Sequence, residues 1–279
     1  MIADLLLPLH FPFMRNALLI VVLIAPAAAM LSAFVVLRGW SLIGDATSHA
    51  VLPGVVLAHM AGIPLIIGAF LAGLICALGT GLIKDHSRIK QDTVMGVVFS
   101  GMFGLGIVLY TQAPTGLDMD HILFGNMLGL SPGTLWTAGL ISGGVTLILA
   151  AKWRDFLAQS LDPVHARMIG LRVNRLHYGM LAILSATIVA MLSAVGIILS
   201  IAYLIAPGAI AFLLTRRFSA MIGVAIGVAL LAGVTGTYAA FWLDSAPAPT
   251  IVMILTALFL AALTAHNRRE RRATTAAGS

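Results

Sequence analysis

Runs of about 20 consecutive apolar residues recur between residues 16 and 265, and charge is largely confined to the stretches between them. A hydrocarbon core about 30 Å thick is crossed by roughly 20 helical residues, each rising about 1.5 Å. In lipid no water pairs an exposed backbone amide, so runs of this length read as membrane-spanning helices. With 60% hydrophobic and 9% charged residues and a mean hydropathy of +1.05, a soluble domain is excluded. Glycines are scattered through the runs, as expected where membrane helices approach closely. The single cysteine, Cys76, lies within an apolar run, so no intrachain disulfide can form and a small buried thiol is expected. The N-terminus shows no basic segment leading to a small-residue cleavage site, so no removable signal is expected.

Taken in order, residues 1–14 read as a Pro-broken interfacial lead and 16–37 as the first span. A short, interrupted segment follows to residue 61, and 64–83 and 94–110 span again. An acidic loop, 111–121, a short run, 122–130, and a span, 134–151, come next. A polar segment, 152–175, precedes four further spans at 177–198, 199–214, 220–241 and 250–265. The fold class is therefore an all-α polytopic membrane protein of eight or nine transmembrane helices. The permease-like body is 1–265, and 266–279 is a basic tail expected to be disordered. If the interrupted segment crosses the membrane there are nine spans with the N-terminus outside. If it is re-entrant, there are eight.

Positive charge sets the orientation. Arg88, the arginines 154, 167, 172 and 175, the Arg216-Arg217 turn and the Arg268-Arg269 tail all fall on alternate connections. The intervening connections, around Asp118 and Asp120 and around Asp244, hold no Lys or Arg. The basic connections and the C-terminus are expected in the cytoplasm of a bacterial cell, next to anionic lipid. Nucleic acid is not an expected partner.

The interrupted segment contains Gly44-Asp45-Ala46-Thr47-Ser48-His49-Ala50-Val51-Leu52-Pro53-Gly54. In a helix, Asp45 and His49 lie one above the other on one face. An ionisable side chain at membrane depth costs several kcal/mol (roughly 2.5–3.5), so it ordinarily faces a pathway or a partner. Carboxylate and imidazole together are the oxygen and nitrogen donors of a divalent transition metal. Two readings stay open: a transient metal site, or a pair that bonds only to itself and shapes a helix break at Pro53-Gly54. One chain supplies at most three donor atoms where Mn²⁺ or Fe²⁺ takes about six, so a second chain would be needed to complete the shell.

A second stretch runs from Leu161 through Asp162-Pro163-Val164-His165-Ala166-Arg167-Met168-Ile169-Gly170 to Leu171. Asp162 is suited to cap a short helix that has Pro163 at its first position and Gly170 at its end. Such a helix is either an ordinary interfacial element or a docking element for a cytoplasmic partner. No phosphate-cradling G-x-x-x-x-G-K-[ST] occurs, so any ATP-driven step belongs to another protein, and the chain is not itself expected to be an enzyme.

These stretches, with Val35-Val36-Leu37-Arg38, Leu123-Phe124-Gly125-Asn126, Ile205-Ala206-Pro207-Gly208-Ala209, Leu213-Leu214-Thr215 and Pro249-Thr250-Ile251, resemble the permease subunits of bacterial metal-ion ABC transporters. That family, of ABC-3 type, handles manganese, iron and zinc. The resemblance covers most of residues 13–265 and implies a type II importer-like fold. It implies a dimeric permease core of identical or paralogous chains, a cytoplasmic ATP-binding subunit and an extracytoplasmic metal-binding protein. It implies import of Mn²⁺ or Fe²⁺, with no permanently bound cofactor, through a site built on Asp45 and His49. Pro53, where zinc-branch members tend to have Leu, is similar to the manganese/iron branch, with zinc import as the alternative. Asp162, Ala166, Arg167, Gly170 and Leu171 correspond to the family's coupling helix, which meets the ATPase. Gly208 and Pro247 depart from the family's pattern.

Other candidates are weaker. Asp118, Asp120 and His121 form an acidic cluster that could receive metal at the outer mouth, or serve as a solvated loop. His59, about 15 Å along a helix from His49, is too far to share its metal. His86, His165, His177 and His266 fall in connections or the tail and read as solvated, and Asp244 as a cap before the last span. Thirteen methionines read as core packing. An intramembrane metalloprotease would need two histidines and a glutamate on one helix, but the only Glu, Glu270, lies in the tail. An ATP-independent carrier or channel is a further rival, without a convincing internal repeat.

Overall fold

The computed structural model describes residues 7–40, 42–89, 91–112 and 127–277. Their regular elements are all helices: α1 (Pro12–Leu37), α2 (Ile43–Ala50), α3 (Leu52–Met60), α4 (Leu65–Asp85), α5 (Gln91–Gln112), α6 (Pro132–Leu161), α7 (Pro163–Met168), α8 (Val173–Leu214), α9 (Phe218–Trp242) and α10 (Pro247–Ala277). Seven of the described helices are long and apolar enough to cross a membrane.

The 42 residues of α8 would extend about 63 Å if straight, twice what a bilayer needs. Instead the chain folds back at Gly196, where φ is 81° and ψ 176°. That backbone conformation suits glycine because it has no Cβ to clash. Met180, Leu184 and Ile188 lie with Met30, Leu31 and Phe34 near the end of α1, whereas Met191 and Val195 lie with Ala17, Ile20 and Ile24. After the turn the chain returns, and Gly208 N donates to Ser32 Oγ at 2.8 Å. Both ends of α8 therefore sit at one end of the bundle. His177 meets Trp40, and Leu213 O lies 3.1 Å from His266 Nδ1.

Counted as two traverses, α8 brings the long spans to eight, and α2–α3 makes a ninth. Antiparallel packing settles that ninth pass. Gly54 and Ala58 of α3 face Gly68 and Ala72 of α4, while Thr47 and Val51 face Gly73. The chain thus moves from Trp40 at one end to Met60 at the other, and α4 carries it back. Of the two sequence expectations, eight or nine, the described residues have nine passes. The N-terminus of α1 lies opposite the end that carries Arg38, Lys152, the Arg216-Arg217 turn and Arg268, here called the basic end. Arg15 is an exception to that asymmetry, at the start of α1.

At its core α1 makes extensive contact with α6, α8 and α9. Its alanines 25, 27, 28, 29 and 33 are all fully buried, so neighbouring backbones come close. Gly208 belongs to that closeness: a Cβ there would stand 2.4 Å from Ser32 O, which accounts for glycine at this position. Pro247 occupies the first position of α10, where proline's missing N–H would be unpaired anyway. Asp244 sits at φ 49° in the turn closing α9, with Ser245 N bonded to Ala240 O, so it ends one helix rather than capping the next. α10 stays helical to Ala277, where the sequence predicts a disordered tail from residue 266.

Candidate functional site

Helix α2 buries Ile43, Gly44, Ala46, Thr47, Ser48 and Ala50, and leaves two side chains partly open: Asp45 at 38% and His49 at 27%. Six apolar or small residues seat the helix against α4, α5 and α8, and the i, i+4 spacing leaves the acid and the imidazole on its open strip. His49 Nε2 lies 3.3 Å from Asp45 Oδ1. His49 Nδ1 is buried and has no hydrogen-bond partner among the described residues, so Nε2 is the nitrogen turned toward the carboxylate. Asp45 stands in the first turn, the helix end whose dipole suits a carboxylate, and His49 stands in the last. Two rings of α5, one turn apart, flank the imidazole: Phe99 at 6.2 Å and Phe103 at 5.3 Å between centroids.

The break after α2 is clamped from two sides. Pro53 cannot donate the i−4 bond that would continue the helix. On α5, Gly106 is pressed against it, and a Cβ there would stand 2.9 Å from Pro53 N. Opposite, Gly54 and Gly68 touch backbone to backbone: a Cβ on either would stand 2.1 Å from the other's carbonyl oxygen. Pro53-Gly54 is visible in the sequence, whereas Gly68, Gly106, Phe99 and Phe103 carry no mark of their part in the site. These partners lie on other helices, and spacing within α2–α3 carries no signal of them.

Asp45 and His49 offer two oxygens and a nitrogen, and no group of three His, Cys, Asp or Glu that could hold a metal occurs among the described residues. Within one chain the pair is an open half-site. Asp118, Asp120 and His121 lie outside the described residues. His59 is exposed in the last turn of α3, far from the pair. Cys76 is buried and unbridged.

At the basic end the helix predicted at 162–171 is present as α7. Asp162 Oδ1 accepts from Val164 N at 2.9 Å and His165 N at 3.0 Å, and Pro163 holds the first position. Gly170 closes it at φ 83°, with its N–H on Arg167 O and that of Leu171 on Ala166 O. Ala166 is fully buried and seats the helix, while Asp162, Arg167 and Gly170 are exposed and Leu171 half-buried. Leu161, Val164, Met168 and Ile169 are 57–81% exposed. Four large apolar side chains in the open at and just beyond the end of a span form a surface suited to meeting another protein or the membrane.

Beside α7, Arg38 donates through Nε to Ser160 Oγ at 2.8 Å and through a terminal nitrogen to Gln159 Oε1, and its Cζ lies 4.5 Å over Trp40. Burial pushes this guanidinium down to about 10, still protonated at neutral pH. Two histidines expected to be solvated are not: His177 is half-buried against Trp40, and His266 lies in α10 against Leu213 O. In each case a neighbouring helix end covers the ring.

The profile of the ABC 3 transport family matches residues 10–266. The chain is 51% identical over 260 residues to the chelated iron transport system membrane protein YfeD of Yersinia pestis, covering 92% of this chain and 86% of the relative. It is 43% identical over 257 residues to the manganese transport system membrane protein MntB of Synechocystis, covering 92% and 84%. Among solved structures it is similar to PsaBC from Streptococcus pneumoniae in complex with Fab, with a TM-score of 0.83 at 34% identity, covering 94% of this chain and 95% of that one.

Proposed function

The chain belongs to the ABC 3 transport family, and on that premise we propose that it is the permease subunit of an ATP-driven importer of divalent transition metal, Mn²⁺ or Fe²⁺. The observation that carries this reading is the open strip of α2. In a helix otherwise buried on every side, the two residues left accessible are a carboxylate and an imidazole 3.3 Å apart. Mn²⁺ and Fe²⁺ accept that mixed oxygen and nitrogen donor set. Three donor atoms make a weak site, and transport needs a site an ion can leave. A second permease chain, identical or paralogous, would bring a second pair and fill the shell. The flanking Phe99 and Phe103 pack against the imidazole, so its Nε2 stays beside the Asp45 carboxylate.

The basic end faces the cytoplasm in this reading, by the positive-inside rule. α7 and the residues flanking it offer Leu161, Val164, Met168 and Ile169 to a separate ATP-binding subunit, which hydrolyses ATP and drives alternating access. A binding protein outside delivers the ion to the opposite end, where Asp118, Asp120 and His121 would receive it. The bilayer is the bacterial cytoplasmic membrane.

The test is metal uptake by the complete transporter in vesicles, with Mn²⁺, Fe²⁺ and Zn²⁺ compared. Asp45→Ala and His49→Ala should each reduce uptake to background while the subunits still co-purify. Normal uptake by either variant rejects the site.

A further inference from the structure

The ends of α1 and α6 meet at one guanidinium at the basic end. Arg38, the residue closing α1, bonds to Ser160 and Gln159 of the last turn of α6 and lies over the ring of Trp40. The same ring meets His177 of α8 at 5.9 Å. Gln159 and Trp40 are buried, at 5% and 8% exposure. A guanidinium is planar, and two bonds plus a stacked ring fix its position and orientation together.

What lies on each side of this junction matters. Ser160 is two residues before Asp162, the cap of α7, and Asp162 N donates to Ala158 O at 3.0 Å. On the other side Trp40 O accepts from Ile43 N at 3.0 Å, the first residue of α2, and Asp45 follows within the same turn. The path from the exposed face of α7 to the Asp45–His49 pair therefore runs through a handful of bonded residues, with Arg38 between them.

We propose that Arg38 is a positioning residue for transport, carrying displacement of α7 to the first turn of α2 and so to the Asp45–His49 pair. This rests on the reading of the pair as the ion site and of α7 as the docking helix. Lysine could bond one partner but not hold the fork, and an aliphatic side chain would leave the buried Gln159 amide unpaired. If the contact only pinned α1 to α6, its loss would lower stability and every activity together. If it transmits motion, hydrolysis and transport come apart.

The experiment uses the complete transporter in vesicles with its ATP-binding subunit and binding protein. Mn²⁺ uptake and ATP hydrolysis are measured on the same preparations of Arg38→Met, Arg38→Lys and Gln159→Leu, with Asp45→Ala as control. The expected result is assembly and ATP hydrolysis close to the parent, with Mn²⁺ moved per ATP down about tenfold in Arg38→Met and Gln159→Leu, and less in Arg38→Lys. An unchanged ratio, or uptake and hydrolysis falling in proportion, overturns the proposal. Should Arg38→Met not assemble, Gln159→Leu decides by the same ratio. If Asp45→Ala still transports, the site itself is wrong. If Asp45→Ala is inactive while the Arg38 and Gln159 variants keep the parent ratio, only the role of Arg38 fails.

Discussion

Two short helices of this protein each place an aspartate near their N-terminus, and the two carboxylates are used in opposite ways. Asp162 stands before α7, and its Oδ1 is taken by the amides of Val164 and His165, so the charge is spent on holding its own helix. Asp45 stands inside the first turn of α2, whose N-cap, Leu42, makes no side-chain cap bond, and its carboxylate turns instead to His49. One acid is absorbed by backbone, and the other is left to a neighbouring side chain, His49. A carboxylate signals a site only when the local backbone does not already satisfy it.

The largest expected effect separates the two acids directly. Asparagine caps a helix about as well as aspartate but brings no charge and a poorer metal donor. Asp45→Asn should therefore abolish metal uptake, whereas Asp162→Asn should leave uptake close to that of the parent in the same vesicle assay. Equal losses at both positions would erase the distinction.

A smaller effect concerns how the helices are held. Gly54→Val forces a side chain into the backbone contact with Gly68, which overpacking places at about 1–3 kcal/mol, read as a lower melting temperature in detergent. Gly101 of α5 has open space around it, and Gly101→Val should leave that temperature unchanged. Equal shifts would mean the two contacts do not differ in closeness.

The smallest effect is on the cap itself. Asp162→Ala removes the acceptor for two amides and should cost about 1 kcal/mol of local helix stability, with Asp162→Ser restoring it. Hydrogen exchange of the Val164 and His165 amides measures this, and unchanged protection in the alanine variant would show that the bonds contribute nothing.

Much of this was legible in one dimension. The apolar runs required a helical bundle in lipid because a spanning backbone must bond within itself. Proline after Asp162 and glycine at 170 announced α7, since cap and terminator act within a turn of their own residues. The spacing of Asp45 and His49 put them on one face for the same reason. Opposite cases were His177 and His266, read as solvated from their place in the chain but covered by helices distant in sequence. The tail after residue 265 was likewise read from its polarity, although the helix runs on to Ala277.

The sequence by itself determined the class, the number of apolar segments to within one, and which helices could carry an acid and an imidazole. Tertiary structure alone decided that α2–α3 crosses, that the turn between the spans expected at 177–198 and 199–214 falls at Gly196, and that the open strip of α2 is the one bearing Asp45 and His49. It also decided that Arg38 bonds the end of α1 to the last turn of α6 beside Trp40. The reason is range: turns, caps and helical faces depend on neighbours a few residues away, whereas burial and close approach depend on what another helix places opposite.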